Sequence, residues 1–213
     1  MVEAYLRQSP LAHLHLGART TQDEDSSDAG VTAMELPYRV MVALRGSPDD
    51  TDFIMAAEKV LTIGLPVAPC TSSGNPDGIH ALWMGPDEWL LVAPQNGHEE
   101  LALSLTSALT GIQASVVDVS ESRTIVHLSG INARETLTKG CSIDLHPRKF
   151  SKGRVVNSLL AQAHITLHQV KDDEDAEGAA YEIFIHRSFA EYLWSWLEDA
   201  TREYGLLITA EYS

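Results

Sequence analysis

From Tyr38 onwards the sequence alternates strand-like and helix-like patterns in an order that occurs twice. Each copy reads β-α-β-β-α-β, the first over residues 38–120 and the second over residues 122–210. This order is typical of the split βαβ unit, an antiparallel sheet with two helices on one face. Because the other face of each sheet would be uncovered, we expect the two sheets to pair. The predicted fold class is α+β, with two tandem ferredoxin-like units and paired antiparallel sheets.

In the first copy, the strand-like run Tyr38–Leu44 leads into a predicted helix over Asp52–Leu61, with Asp49 or Asp50 as its N-cap. The turn Gly85-Pro86-Asp87 separates two apolar runs and predicts a hairpin. The other predicted elements of this copy are the strands Ile79–Met84, Glu88–Ala93 and Ile112–Ser120, the helix Gln95–Thr110 and the loop Pro69–Gly78.

In the second copy, the strongest pattern is a helix over Arg187–Gly205, where Ser188 and Glu191 have the spacing of a capping box. Its apolar stripe leaves Trp194 outside and comprises Phe189, Leu193, Trp196, Leu197, Ala200 and Tyr204. The other predicted elements are the strands Ser122–Gly130, Val155–Val170, Ala180–His186 and Leu206–Ala210, the helix Asn132–Lys139, the loop Cys141–Arg154 and the turn Lys171–Ala179.

The residues before the first copy are predicted to form an arm over residues 1–36, followed by the folded domain over residues 37–213. Pro10 disfavours a helix before it. The run Thr20–Gly30 is acidic, contains small residues and has no apolar anchor, so we interpret it as a mobile linker.

The charge balance limits the classes of partner. Thirty acidic residues against fifteen basic ones give a net charge of −15. Such a surface repels phosphate backbones and anionic lipid, so we expect neither nucleic acid nor a membrane as partner. The two cysteines lie far apart and indicate neither a disulfide framework nor a zinc site. With no apolar run long enough to span a bilayer and no secretory pattern at the N-terminus, we expect a cytoplasmic protein.

Motifs for catalysis or cofactor binding are absent from the sequence. His164 and His168 are four residues apart, but in a strand that spacing separates them by about 13 Å. Cys141 follows a predicted helix C-terminus, where the helix dipole disfavours a thiolate. There is no nucleophile elbow and no glycine-rich phosphate loop. We therefore predict no catalytic, cofactor-binding or metal-binding residue in this chain.

Three segments are candidates for contact with a partner: the N-terminal arm near Leu11–Leu16, the loop Asp144–Phe150 and the aromatic side chains of the last helix. The loop after residue 143 mixes charged and large apolar side chains, so it is either a solvated loop, a docking loop or one wall of a ligand groove. The four tryptophans favour core packing, but an outward Trp194 would suit an interface. The predicted interface residues are Leu11, Leu14, Asp144, Leu145, His146, Pro147, Arg148, Phe150 and Trp194.

Several segments together resemble the gamma subunit of bacterial heterotetrameric sarcosine oxidase. The most specific are the string S-R-T-x-x-x-L-S-G over Ser122–Gly130 and the string K-G-C-S-x-D-L-H-P-R-x-F over Lys139–Phe150. The resemblance also covers Ser9-Pro10-Leu11, Leu82–Pro94 and Arg187–Gly205. The acidic run Thr20–Gly30 is not part of it.

The resemblance implies an oxidoreductase complex that converts sarcosine, oxygen and tetrahydrofolate to glycine, hydrogen peroxide and methylenetetrahydrofolate. It implies that FAD, covalent FMN, NAD and the folate site belong to other subunits. The gamma subunit would be a non-catalytic piece that docks mainly on the alpha subunit, beside the beta and delta subunits.

A more distant similarity is to the folate-binding aminomethyltransferases of glycine cleavage, whose N-terminal pattern Val116–Leu137 follows. That family implies a carboxylate in the turn after the strand matching Leu159–Ala163, and the stretch Leu160–His164 has none. The sequence thus resembles a relative retained for assembly. The alternatives are a stand-alone tetrahydrofolate-binding protein or one-carbon transferase, the small subunit of a complex acting on another N-methyl amino acid, and a regulatory amino-acid-binding module.

Overall fold

A computed structural model describes residues 7–19, 29–173 and 177–210 of the chain. These residues divide into two compact units. Unit 1 takes its described residues from Met1–Pro37, Arg123–Ser151 and Ser158–Ser213, and unit 2 from Tyr38–Ser122 and Lys152–Asn157. Most of the predicted linker Thr20–Gly30 lies outside the described residues.

The strands are β1 (Val31–Leu36), β2 (Val40–Gly46), β3 (Ser72–Gly74), β4 (His80–Gly85), β5 (Glu88–Ala93), β6 (Ala114–Asp118), β7 (Arg123–Gly130), β8 (Val155–Leu160), β9 (Ala163–Lys171), β10 (Ala179–His186) and β11 (Leu206–Ala210). The α-helices are α1 (Leu16–Arg19), α2 (Thr51–Leu61), α3 (Leu101–Ala108), α4 (Ala133–Thr138) and α5 (Ala190–Ala200), and two 3-10 turns cover Ala12–Leu14 and Arg187–Phe189. No described helix combines the length and apolarity that a bilayer-spanning segment needs.

Unit 2 contains a five-stranded sheet in the order β3-β4-β5-β2-β6. All neighbouring strands are antiparallel, so β2 and β4 run in the same direction with β5 between them. The core lies where α2 and α3 pack on this sheet. At its centre, the buried ring of Trp89 lies 5.7 Å from that of Phe53, and its indole N–H donates to the carbonyl oxygen of Pro66 at 2.8 Å.

The helix α2 forms as the sequence predicts. The Asp50 carboxylate accepts hydrogen bonds from the backbone N–H groups of Asp52 and Phe53, which satisfies donors that have no partner inside the helix. The buried side chains of this helix are four residues apart, at Phe53, Ala57 and Leu61, so one face covers the sheet.

The six-stranded sheet has the order β11-β1-β7-β10-β9-β8, and its strands belong to unit 1 except for residues 155–157 of β8, which are assigned to unit 2. β1 runs parallel to β11 and antiparallel to β7, and β10 runs antiparallel to both β7 and β9. Helices α4 and α5 pack on β10. With β1 set aside, the order β11-β7-β10-β9-β8 repeats the order β6-β2-β5-β4-β3 of unit 2. The repeated element order seen in the sequence therefore corresponds to a repeated order of strands.

The largest departure from the sequence-based prediction is β1, because Val31–Leu36 was assigned to the N-terminal arm. In the structure these residues form a strand between β7 and β11, with Val31, Ala33 and Leu36 buried. The alternation of small and apolar residues over these six positions is too short to predict a strand by itself. The strands that pair with it, β7 and β11, lie far along the chain. The folded part of the chain thus begins before residue 37.

Other boundaries also differ. The predicted strand Val155–Val170 is a pair of strands, β8 and β9, divided at Ala161, whose backbone is left-handed (φ 52°). The loop Pro69–Gly78 contains the short strand β3. The helix predicted over Gln95–Thr110 begins only at Leu101.

The predicted capping box of Ser188 and Glu191 is wrong. The chain passes from β10 through a 3-10 turn, and α5 begins at Ala190 with Phe189 at the N-cap and no side-chain cap bond. The Glu191 carboxylate instead lies 3.5 Å from Nε2 of His13.

Candidate docking surface

The loop that follows α4 is anchored in unit 1 at two points. Leu145 is 2% exposed and Phe150 is 4% exposed, while the residues between them are exposed. We call His146, Pro147, Arg148 and Lys149 the loop tip. Because apolar anchors flank it on both sides, the tip is presented to solvent from a fixed base.

Hydrogen bonds within the loop fix the backbone of the tip. The carboxylate of Asp144 accepts from the backbone N–H of His146 at 3.0 Å. The backbone carbonyl of His146 accepts from the N–H groups of Lys149 and Phe150 at 2.8 and 2.9 Å. Nδ1 of the same histidine accepts from the N–H of Arg148 at 3.2 Å. The tip is therefore a turn with defined geometry.

Arg134 of α4 holds the base of this loop. Its guanidinium is nearly buried and donates to the backbone carbonyl of Leu145. Nη2 lies 3.2 Å from Oδ2 of Asp173, and the guanidinium carbon lies 6.0 Å from the centre of the Tyr181 ring. Burial raises the pKa of Tyr181 well above its ordinary value, an effect that the positive charge of Arg134 partly offsets. One arginine thus joins α4, the loop and β10.

Lys139, at the C-terminal end of α4, contacts the C-terminal end of α5. Its ammonium donates to the carbonyl oxygen of Ala200, pairs with Glu203 and lies 4.4 Å from the centre of the Tyr204 ring. The hydrogen bond from Lys139 lowers the pKa of Glu203. The C-terminal ends of α4 and α5 are held together by this side chain.

Gly140 is required by close packing. A Cβ at this position would lie 2.5 Å from Cζ2 of Trp196 and 3.0 Å from the backbone nitrogen of Ala161. Gly140→Ala is therefore expected to lower the free energy of unfolding by about 1–3 kcal/mol, as overpacking does. Urea unfolding followed by circular dichroism measures the change.

Gly17→Ala is the matched control, because a Cβ there meets no atom within 4 Å. Equal stability of the two alanine variants would contradict the packing of Trp196 on Gly140.

The N-terminal arm packs on the rest of unit 1. Leu11 is fully buried and Leu14 is half-buried. Ser9 Oγ donates to one carboxylate oxygen of Glu35 and Thr124 Oγ1 donates to the other, both at 2.8 Å. A cavity of about 240 Å³ adjoins these contacts, between the arm and the ends of β1 and β11. Leu11, which the sequence placed at an interface with a partner, is thus buried within this chain.

Glu35 makes the stability of unit 1 depend on pH. Burial raises the pKa of this carboxyl above its ordinary value, and the hydrogen bonds from Ser9 and Thr124 offset part of the rise. Because the folded pKa exceeds the unfolded one, the stability that Glu35 contributes is present at low pH and lost as the pH rises through the folded value. Relative to Glu35→Gln, the melting temperature of the unmodified chain should fall as the pH rises from about 4 to about 7.

Glu203→Gln provides a control of opposite sign, since the pKa of Glu203 is lowered. Relative to that variant, the unmodified chain should lose stability as the pH falls. The same pH trend in both comparisons would contradict the pKa directions.

Trp194 does not point outward, which corrects the sequence-based assignment. It is 1% exposed, and its indole N–H donates to Oε1 of Glu198 at 2.7 Å. Trp196, placed on the buried stripe by the sequence, is only partly buried. The exposed aromatic side chains here are Phe189 (45%) and Tyr192 (40%). The sequence pattern placed the buried face of this helix too close to Trp196 because it included Phe189, which belongs to the preceding 3-10 turn.

The histidines confirm the strand geometry assumed for them. His164 and His168 both lie on β9, the first exposed and the second buried. Nδ1 of His168 lies 3.1 Å from Oε2 of Glu182 on β10, its register partner. The sequence did not indicate Glu182, since a cross-strand neighbour fourteen residues away leaves no spacing signal. Cys141 is buried beside β8.

The fold and this loop define a class of protein: an α+β chain of two units in which buried residues at the base of a loop hold its exposed tip. The family model described as "Sarcosine oxidase, gamma subunit family" matches residues 45–203, and the chain belongs to this family. The resemblance seen in the sequence is confirmed.

Relatives and solved structures agree with this family. The chain is 33% identical over 200 residues to the sarcosine oxidase subunit gamma of Corynebacterium sp. strain U-96, covering 94% of this chain and 92% of that protein. It is 31% identical to the subunit gamma of an Arthrobacter species over the same shares. A chain of the heterotetrameric sarcosine oxidase from Corynebacterium sp. U-96, in complex with pyrrole 2-carboxylate, superposes with a TM-score of 0.80 at 33% identity, covering 98% of this chain and 100% of that one.

The aminomethyltransferase fold is also confirmed as a structural neighbour. The glycine cleavage system aminomethyltransferase T from Bartonella henselae has a TM-score of 0.61 at 14% identity. The match covers 86% of this chain and 48% of that one. This likeness concerns the fold.

Proposed function

We propose that this chain is the accessory gamma subunit of a heterotetrameric sarcosine oxidase. The complex would oxidatively demethylate sarcosine to glycine, transfer the one-carbon unit to tetrahydrofolate and produce hydrogen peroxide. The observation that carries the proposal is similarity along the whole chain, at 33% identity and a TM-score of 0.80, to a chain of a heterotetrameric sarcosine oxidase.

The side chains of the string Lys139–Phe150 support a structural role. Lys139 ties two helix ends together, Gly140 makes room for Trp196, and Leu145 and Phe150 anchor the loop. Each of these contacts shapes the protein rather than presenting a reactive group. In this proposal the chain contributes surface to the complex, and chemistry belongs to its partners.

We place the cofactors and the reaction on other subunits. FAD, FMN, NAD and tetrahydrofolate would be carried by other subunits of the complex. The alpha subunit would be the main contact of this chain, beside the beta and delta subunits, in the cytoplasm. The exposed members of the predicted interface, Asp144, His146, Pro147 and Arg148, together with half-buried Leu14, would meet the partner. The buried members, Leu11, Leu145, Phe150 and Trp194, would support that surface from beneath.

Affinity purification from the native host tests the proposal. A tagged full-length chain should retain three further polypeptides, a flavin absorbance spectrum and sarcosine-dependent production of hydrogen peroxide. Offering sarcosine, dimethylglycine and N-methylglutamate in turn identifies the preferred donor. A purified chain without any amine-oxidising activity would overturn the proposal.

A further inference from the structure

The loop tip carries two positive side chains that have no acidic partner within the described part of the chain. Arg148 and Lys149 are exposed, and neither forms an ion pair there. The contrast with the other cations is clear, because most of the other exposed ones are paired. The paired cations include Arg19 with Glu198, Arg45 with Glu88, Lys139 with Glu203, Lys171 with Glu177 and Arg202 with Asp199.

The absence of a partner is informative in a chain with twice as many acidic as basic residues. Residues 146–154 contain four of the fifteen Lys and Arg residues and no acidic residue. The nearest carboxylate in sequence is that of Asp144, which accepts the backbone N–H of His146. The tip is thus a positive spot on a protein whose net charge is −15.

We propose that the loop tip docks against an acidic surface of another subunit of the complex, where Arg148 and Lys149 form ion pairs with carboxylates of that subunit. This inference rests on the proposed function. The inference specifies the chemistry of the partner surface. Carboxylates of a partner are attracted to the positively charged tip and are repelled by the acidic surface around it. Elsewhere the two acidic surfaces repel each other, which fixes the register of docking.

The architecture of the loop favours such a contact. Its backbone is already hydrogen-bonded as a turn, and Leu145 and Phe150 hold its base, so little backbone entropy is lost on binding. Exclusion of water at an interface strengthens the attraction between opposite charges. The backbone positions that carry the two cations are therefore fixed before the partner arrives.

Charge reversal in the full-length chain tests the inference. The variant Arg148→Glu/Lys149→Glu should retain about tenfold less of the sarcosine-oxidising complex than the unmodified chain in matched affinity purifications. The control Lys59→Glu/Arg202→Glu makes the same change in net charge at exposed positions that do not belong to the loop tip and should retain the complex within about twofold. Raising the salt from about 0.1 M to about 0.5 M should weaken retention of the unmodified chain.

The outcomes separate the two claims. If the unmodified chain retains no sarcosine-oxidising complex, the proposed function fails. If it retains the complex and the tip variant does so equally well, the docking inference is overturned while the proposed function stands. The melting temperature of each variant is measured in parallel. Should charge reversal lower it, the neutral variant Arg148→Gln/Lys149→Gln replaces it, with a several-fold loss of retention expected and unchanged retention counting against the inference.

Discussion

Replacing Trp194 with alanine is expected to lower the free energy of unfolding by about 3–5 kcal/mol, the usual cost of truncating a buried tryptophan. The indole is 1% exposed in unit 1 and donates to the carboxylate of Glu198. Glu198 also pairs with Arg19 at 2.6 Å, so the substitution removes one of two contacts that hold this carboxylate. Urea unfolding followed by far-ultraviolet circular dichroism measures the change, because helix content does not depend on the removed fluorophore.

Two variants separate packing from hydrogen bonding at this position. Trp194→Phe keeps most of the buried apolar area and loses the bond to Glu198, so its stability should lie between those of the unmodified chain and the alanine variant. Phe189→Ala removes an aromatic side chain that is 45% exposed and should cost less than about 1 kcal/mol. A Trp194→Ala variant as stable as the Phe189→Ala variant would mean that the indole lies outside the core, as the sequence pattern had suggested.

Trp194 was predicted to face outward but is buried, which shows what helical periodicity alone cannot determine. Helical spacing identified the segment as a helix, but the centre of the predicted apolar stripe depended on counting Phe189 as one of its members. The predicted start at Arg187 placed Phe189 on the buried stripe, whereas α5 begins at Ala190 after a 3-10 turn. Without Phe189 the buried face is centred on the side of Ala190 and Trp194, so Trp194 is buried and Trp196 lies at the edge of that face, partly buried.

The α+β class could be read from the sequence because it depends on local patterns. The hairpin of β4 and β5 and the capped helix α2 carry their signals in consecutive residues, namely a Gly-Pro-Asp turn and an Asp N-cap. β1 could not be found in this way. Its partners β7 and β11 are distant in sequence, and the six residues become a strand only when both are beside them.

The sequence singled out the exposed loop after α4, but it did not show how that loop is built. The mixture of charged and apolar residues singled out the loop after α4. It did not show that Leu145 and Phe150 point inward while Arg148 and Lys149 point outward, because a loop has no periodicity to separate the two sets. Nor did it indicate Arg134, which lies in α4 and reaches the loop only through the tertiary fold. The family string is best understood as the set of contacts that hold this loop in place.

Arg134→Ala should therefore affect both stability and docking. It leaves the buried carbonyl of Leu145 without its donor, at a cost of about 1–3 kcal/mol, and removes the contact with the Tyr181 ring, at about 0.5–2 kcal/mol. The expected total is about 1.5–5 kcal/mol. Loss of the ion pair adds little to it, because Asp173 is partly exposed and can be hydrated when its partner is lost. Hydrogen exchange at the amides of Lys149 and Phe150 should become faster, since the turn loses the base on which it is built.

The conservative variant Arg134→Lys distinguishes positioning from charge. Lysine keeps the positive charge but lacks the fork that reaches Leu145 and Asp173 together, so exchange at the tip should still be faster than in the unmodified chain. Arg202→Ala, which removes an arginine from an exposed ion pair, should leave both stability and exchange nearly unchanged. If Arg134→Ala lowers the stability of unit 1 while the amides of Lys149 and Phe150 exchange as slowly as before, the loop is held by Leu145 and Phe150 alone, and Arg134 serves only the packing of α4 on β10.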